Sequence, residues 1–158
     1  MATKITPFLW FNNQAEEAAK FYTSVFKNSK INTVTRYGAE GPGPKDSVMT
    51  VDFTLDGQEL TAINGGSHYT LTPAISFVVH CRTQQEIDEY WDKLLAGGEA
   101  MQCGWLTDRF GLSWQITPTI LLEMIQDKNA ARKSRVMQAM MQMVKLDIQK
   151  LKDAYERA

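Results

Sequence analysis

The chain has 158 residues, 44% of them hydrophobic, with 17 Lys and Arg against 18 Asp and Glu and a formal net charge of −1. That suits one domain, or one domain with an extension, with enough apolar residues for a core. That balance argues against nucleic acid or an anionic membrane as the main partner, since phosphate binding needs a basic surface. Two cysteines, Cys81 and Cys103, are too few for a disulfide framework, and the N-terminus shows no long apolar run, so a soluble protein of the reduced cytoplasm is expected.

Ile5 to Phe11 is apolar and reads as a strand. Asn12-Asn13 end it and offer a helix cap. From Gln14 to Phe26, Ala15, Ala18, Ala19, Tyr22 and Phe26 recur at helical spacing with Glu16, Glu17 and Lys20 outside. Ile31 to Tyr37 is rich in β-branched residues, and GAEGPGPK (38–45) reads as a mobile loop without phosphate-loop spacing. Val48 to Leu55 alternates strictly, with Met49, Val51, Phe53 and Leu55 against Thr50, Asp52 and Thr54. Asp56-Gly57 is a hairpin signal, and Gln58 to Asn64 is the return strand. A second loop spans 65–72.

The pattern then restarts. Ala74 to His80 is a strand, Thr83 or Gln84 opens a helix through Leu95, and Gly97-Gly98 close it. Ala100 to Cys103 is a short strand. CGWLTDRFGLSWQITP (103–118) reads as two strands joined at Asp108-Arg109-Phe110-Gly111, with Leu112, Trp114 and Ile116 on one face and Ser113, Gln115 and Thr117 on the other. Strand, helix and three strands are thus written twice. Phe21-Tyr22 matches Tyr90-Trp91 and Glu17 matches Glu86, at an offset of roughly 69 positions. The expected class is α+β: two paired βαβββ modules related by a pseudo-twofold, at about 4–66 and 73–118, forming a cupped sheet. They make a domain over 1–126, followed by a helical extension over 127–158.

FLWFNNQAEEAAKFY resembles the opening of the vicinal oxygen chelate superfamily, which holds glyoxalase I, bleomycin-resistance proteins and extradiol dioxygenases. With TRYG, AINGG, AISFVVHC, QQEIDEYWDKL and CGWLTDRFGLSWQITP, the chain is similar to the PhnB-like subgroup over nearly all of residues 4–125. Members of that subgroup carry the inherited label 3-demethylubiquinone-9 3-methyltransferase. The resemblance implies paired βαβββ modules, usually in a homodimer, with a small-molecule ligand in the cup between them. Metal-dependent relatives hold a divalent ion with His, Gln or Glu from the first and last strands of each module. Carried over, those places fall on Gln115 and Thr61, near Thr6-Pro7, and on Ala74 to Ser76. None is His, Glu or Asp, so no metal and no other cofactor is expected. Nor does any Gly cluster have the strand–turn–helix context of a nucleotide-type cradle, so the methyltransferase label lacks support in the sequence.

The ligand-binding candidates are Thr50, Asp52, Thr61, Ser76 and Gln115, which oppose apolar neighbours on alternating strands, with Trp105 at the rim. Asp52 reads equally as a general base or ligand anchor and as a solvated or cross-strand-paired residue. Arg36 either holds an anionic ligand or braces the sheet. Trp10 and Trp114 fit the core better than a pocket wall. His80, Cys81 and Cys103 read as buried or edge residues rather than a zinc set, because adjacent strand residues face opposite ways. Asp108-Arg109 reads as turn structure, and His68 as solvent-facing. No catalytic residue is assigned. The chain reads as a binder of an unidentified small molecule, without nucleic acid or membrane; a metal-assisted enzyme of the glyoxalase, lyase or dioxygenase kind is the alternative. In the extension, Met137, Met141, Val144, Ile148, Leu151 and Tyr155 follow a 4-3-4-3-4 spacing. That predicts one helix from Ala130 to Ala158 whose seam packs against its own domain or, as the resemblance favours, across a homodimer.

Overall fold

The computed structural model describes residues 4–157, so the reading of the N-terminal residues 1–3 and of a helix end at Ala158 lies outside the described residues. The chain forms two compact units, one ending at Leu71 and the other beginning at Thr72.

The first unit contains β1 (Phe8–Phe11), α1 (Ala15–Val25), β2 (Lys30–Arg36), β3 (Val48–Leu55) and β4 (Gln58–Asn64), with sheet order β1-β4-β3-β2. β1 runs parallel to β4, and the β2–β3 and β3–β4 pairs are antiparallel. The alternation in β3 has the predicted effect: Val51, Phe53 and Leu55 are buried with Leu9, Phe11, Leu60 and Ala62. α1 covers that face with Ala15, Ala18, Ala19, Tyr22 and Val25. Its three alanines let the helix approach closely, and the Tyr22 ring stacks on Phe53 with centroids 6.3 Å apart. Asp56 (φ 45°) and Gly57 (φ 84°) are both left-handed, as a two-residue hairpin turn requires. The expected Asn12-Asn13 cap is not the one used. Gln14 is the N-cap without a side-chain bond, and Asn64 at the end of β4 accepts from the Ala15 N–H at 2.8 Å. A cap reaching in from a distant strand leaves no local sequence signal.

The second unit repeats the order: β5 (Ser76–Cys81), α2 (Gln84–Leu95), β6 (Glu99–Ala100), β7 (Trp105–Thr107) and β8 (Ser113–Pro118), with sheet order β5-β8-β7-β6. Thr83 caps α2 by accepting from the Glu86 N–H at 3.1 Å, and the Glu86 carboxylate accepts from the Arg82 N–H at 2.6 Å. Ile87, Trp91 and Leu94 line the buried side of α2, against the sheet that carries Leu106, Trp114 and Ile116. Asp108 is buried inside the β7–β8 turn. Its carboxylate accepts from the N–H groups of Phe110 (2.8 Å) and Leu112 (3.1 Å) and from the Trp114 indole (2.9 Å). The turn reading of this residue therefore holds.

Three helices follow: α3 (Thr119–Ile125), α4 (Ala130–Met141) and α5 (Ile148–Glu156). The expected single helix with a continuous seam is corrected here. The chain leaves helical geometry after Gln142 and re-enters at Asp147, whose side chain accepts from the Lys150 N–H at 3.0 Å. Between them the carbonyls of Met143 and Val144 accept from the N–H groups of Cys103 (2.8 Å) and Gly104 (2.7 Å). Gln84 holds the same segment from α2, accepting from the Ile148 N–H and donating to the Leu146 carbonyl, and Lys145 pairs with Asp88 at 2.9 Å. Lys145 and Gln84 hold the Asp88 carboxyl below its ordinary range. Val136, Met143, Leu146 and Leu151 join Leu121 and Met124 in one buried cluster, while Met141 and Val144 of the supposed seam stay exposed. Docking on its own unit wins over the heptad because the break supplies backbone acceptors to two otherwise unpaired amides.

Gly104 makes this approach possible. Its φ is +82°, and a Cβ there would lie 2.8 Å from Leu146 Cδ1 and 3.0 Å from the Ile116 carbonyl. Gly104→Ala is therefore expected to cost about 2–3 kcal/mol, combining left-handed strain with overpacking. Urea unfolding with the m-value unchanged would measure it; a loss below about 0.5 kcal/mol would mean that the 143–147 segment does not sit this tightly.

Candidate functional site

In each unit one sheet face is covered by helix and the other is open. On the open face of the first sheet, cross-strand pairing places Thr33, Asp52, Thr61 and Phe8 in one row and Thr35, Thr50, Ile63 and Trp10 in the next. Thr50, Asp52 and Thr61 are thus brought together and half-buried. The Thr61 hydroxyl donates to Asp52 Oδ1 at 2.6 Å, a cross-strand pair. The second Asp52 oxygen is left for another donor. The open face of the second sheet places Trp105, Gln115 and Val78 in one row and Thr107, Ser113 and Ser76 in the adjacent one. The Gln115 carboxamide donates to the Ser76 hydroxyl at 2.9 Å. Trp105 is half-buried beside them, at the place that Asp52 holds in the first sheet.

Arg36 stands apart. It is exposed at the end of β2 and donates to the Asp46 carbonyl at 3.1 Å, bracing the following loop. That loop, expected to be mobile, is wrapped around Tyr37: a Cβ on Gly41 or Gly43 would fall 2.6 or 2.4 Å from the ring, and the Tyr37 hydroxyl donates to the Asn64 carbonyl. Behind it lies a cavity of about 460 Å³ walled by Asn12, Glu16, Pro42, Pro44, Val48 and Asn64.

Three site-facing residues escaped the sequence reading. Trp10 is not in the core. Its indole donates to the Gly66 carbonyl at 2.9 Å, and its ring meets Tyr69 edge-on at 5.0 Å. Phe8 (58% exposed) and Val78 (42% exposed) occupy matching places in the two first strands, opposite Thr61 and Gln115. β1 is apolar at every position, so its alternation carried no polar contrast from which to read a face. Of the first-strand places carried over, Thr6-Pro7 lie just before β1 and Ser76 opens β5. Trp114, by contrast, is buried as expected.

The donors present do not fit a divalent ion. Phe8 and Val78 offer no ligand atom, Gln115 offers only a neutral carboxamide oxygen, and Asp52 is the lone carboxylate of its row. Among the described residues no three His, Cys, Asp or Glu side chains converge. His80 and Cys81 face opposite ways; burial pushes the Cys81 thiol up to about 11, with Glu86 adding to it, so the thiolate a metal needs is disfavoured. What the open faces supply is hydrogen-bonding side chains and three scattered carboxylates, Asp52, Glu59 and Glu99, each in a different row, beside exposed apolar side chains.

The family model for 3-demethylubiquinone-9 3-methyltransferase matches residues 3–117. No curated protein matches the chain. Among solved structures, the Bacillus cereus PhnB protein, provisionally called a 3-demethylubiquinone-9 3-methyltransferase, is 41% identical, covers 74% of this chain and 100% of its own, and superposes with a TM-score of 0.68. The Pseudomonas aeruginosa protein PA1353 is 22% identical over 74% of this chain and 98% of its own, with a TM-score of 0.61. The fosfomycin resistance protein FosX of Listeria monocytogenes is 15% identical over 80% of this chain and 99% of its own, with a TM-score of 0.57. The last two share the fold.

Proposed function

Because the chain belongs to the 3-demethylubiquinone-9 3-methyltransferase family, the PhnB-like branch of the glyoxalase and vicinal oxygen chelate superfamily, we propose that it binds a small metabolite on the open sheet faces without a resident metal. The observation that carries this reading is the matched arrangement in the two units. Each sets an exposed apolar side chain, Phe8 or Val78, opposite a polar one, Thr61 or Gln115, that is itself hydrogen-bonded to a further polar residue, Asp52 or Ser76. Thr50 and Trp105 widen these patches; Arg36 serves the loop instead. The paired side chains are already oriented, so a ligand is met by fixed hydrogen-bonding groups and little rotamer entropy is lost on binding.

Methyl transfer, which the family's name describes, finds no glycine-turn cradle among the described residues. Gly65-Gly66 follow a strand into a turn and Gly97-Gly98 end α2, whereas a cofactor of that kind is held where a glycine turn opens a helix. No helix among the described residues is long and apolar enough to cross a membrane. The reading places the protein in the cytoplasm, as the homodimer that its resemblance implies.

A thermal-shift screen of small metabolites, run with elemental analysis, tests this. At a hundredfold excess over Kd a ligand adds ~2.7 kcal/mol, or about 5–10 °C in Tm for a chain of this size. At least one compound is expected to give such a shift with the natural protein and lose it with both Asp52→Ala and Gln115→Ala. Finding about one zinc, nickel, iron or manganese per chain, lost on Gln115→Ala, would replace this reading with the metal-assisted enzyme. Ligand shifts indifferent to both substitutions would move the site elsewhere.

A further inference from the structure

The C-terminal helices lie beyond what the family accounts for. The family model ends at residue 117, and the Bacillus cereus protein is covered completely by 74% of this chain. The charge of this part also differs from the rest. Residues 127–158 carry eight Lys and Arg against four Asp and Glu, leaving nine against fourteen in the remainder.

Two of these cations sit where helix electrostatics disfavours them, and two others, Arg135 and Arg157, gather at the C-terminal end of α5, where it favours them. The N-terminal end of a helix is the positive end of its dipole, and acidic residues are the favoured occupants of the first turn. The first turns of α4 and α5 hold no acidic residue. Arg132 lies three residues after the Asn129 cap, and Lys150 three after the Asp147 cap.

α4 and α5 enclose a groove of about 550 Å³ walled by Arg135, Lys150 and Arg157, with the carboxamides of Gln138 and Gln142 between them. Arg135 is fixed in place, since Nε and Nη2 donate to the Ala154 and Tyr155 carbonyls at 3.0 and 3.3 Å. Asp153 is the acidic residue of this wall, and its carboxylate accepts from Gln149 at 2.9 Å. Three cations against one occupied carboxylate give the groove a positive field, and guanidinium and ammonium groups together suit tetrahedral oxyanions. We infer that this groove is a binding site for a small phosphate-bearing anion, independent of the open sheet faces. Its size fits a phosphate ester or diphosphate, and α4, with only twelve residues, is too short a track for successive backbone phosphates of a nucleic acid.

The test is calorimetric titration of the full chain with inorganic pyrophosphate, with succinate as the dicarboxylate arm. Pyrophosphate is expected to bind once per chain, at least tenfold tighter than succinate, and more weakly as salt is raised. The Lys150→Glu, Arg157→Glu double variant should lower its affinity at least tenfold, and both changes are at exposed positions that leave the buried cluster intact. A Lys27→Glu, Lys30→Glu variant of the first unit makes the same change in net charge and should bind as the natural chain does. No saturable binding, equal binding of succinate, or equal loss in the two double variants would overturn the assignment.

Discussion

Asp108→Ala is expected to destabilise the protein by about 4–6 kcal/mol, the largest effect of any single substitution considered. The carboxylate is 3% exposed and serves three donors, the N–H groups of Phe110 and Leu112 and the Trp114 indole. Alanine removes all three acceptor contacts at once and leaves buried donors unpaired, each at a cost of about 1–3 kcal/mol. Asp108→Asn is expected to cost roughly half as much, because its carbonyl oxygen can still serve the two amides while its NH₂ group confronts the indole N–H. Urea unfolding followed by tryptophan fluorescence would measure both. A loss under about 1 kcal/mol for the alanine variant would mean that the turn holds its shape without the carboxylate.

Truncation after Gln126 is expected to lower the melting temperature sharply without changing the oligomeric state. Leu146 and Leu151 are buried within their own chain, in the cluster that also holds Leu121 and Met124. Cutting back even one such leucine costs about 2–5 kcal/mol, and truncation also strips the acceptors from the Cys103 and Gly104 amides and the partner from Asp88. Light scattering beside a thermal melt distinguishes the outcomes. A truncated chain that melts like the natural one but becomes monomeric would restore the dimer-forming seam that the sequence pattern pointed to.

How far the fold could be read from the sequence depended on whether a signal was local. Strict alternation placed β3 and β8, Asp56-Gly57 placed its hairpin, and the spacing from Ala15 to Tyr22 placed α1, because each is written within one element. The doubled order of elements made the architecture legible. Faces were legible where polar and apolar residues alternate, so Thr50, Asp52, Thr61, Ser76 and Gln115 lie on the open sides, and illegible in β1, where Phe8 to Phe11 offer no contrast. Side-chain partners from far along the chain were invisible. Asn64 caps α1 from 49 residues away, and Gln84 grips the 146–148 segment from 62 residues away or more. The heptad in the extension misled because spacing registers which residues are apolar, not where the backbone must bend to meet Gly104. One overlooked local cue lay there: Asp147, a good N-cap followed by helix formers, marks a second start.

The docking of Met143 to Asp147 beside Gly104 also sets an order of events on the ribosome. The first unit draws its sheet and its covering helix from residues up to Leu71 and can close while the rest is still being made. The second cannot. Its strands are complete at Pro118, yet the amides of Cys103 and Gly104 lack partners, and Leu121 and Met124 lack cover, until Leu146 and Leu151 have left the exit tunnel. For that interval the nascent chain carries one finished half and one sticky half, and it is in the second that chaperones or misassembly would take hold.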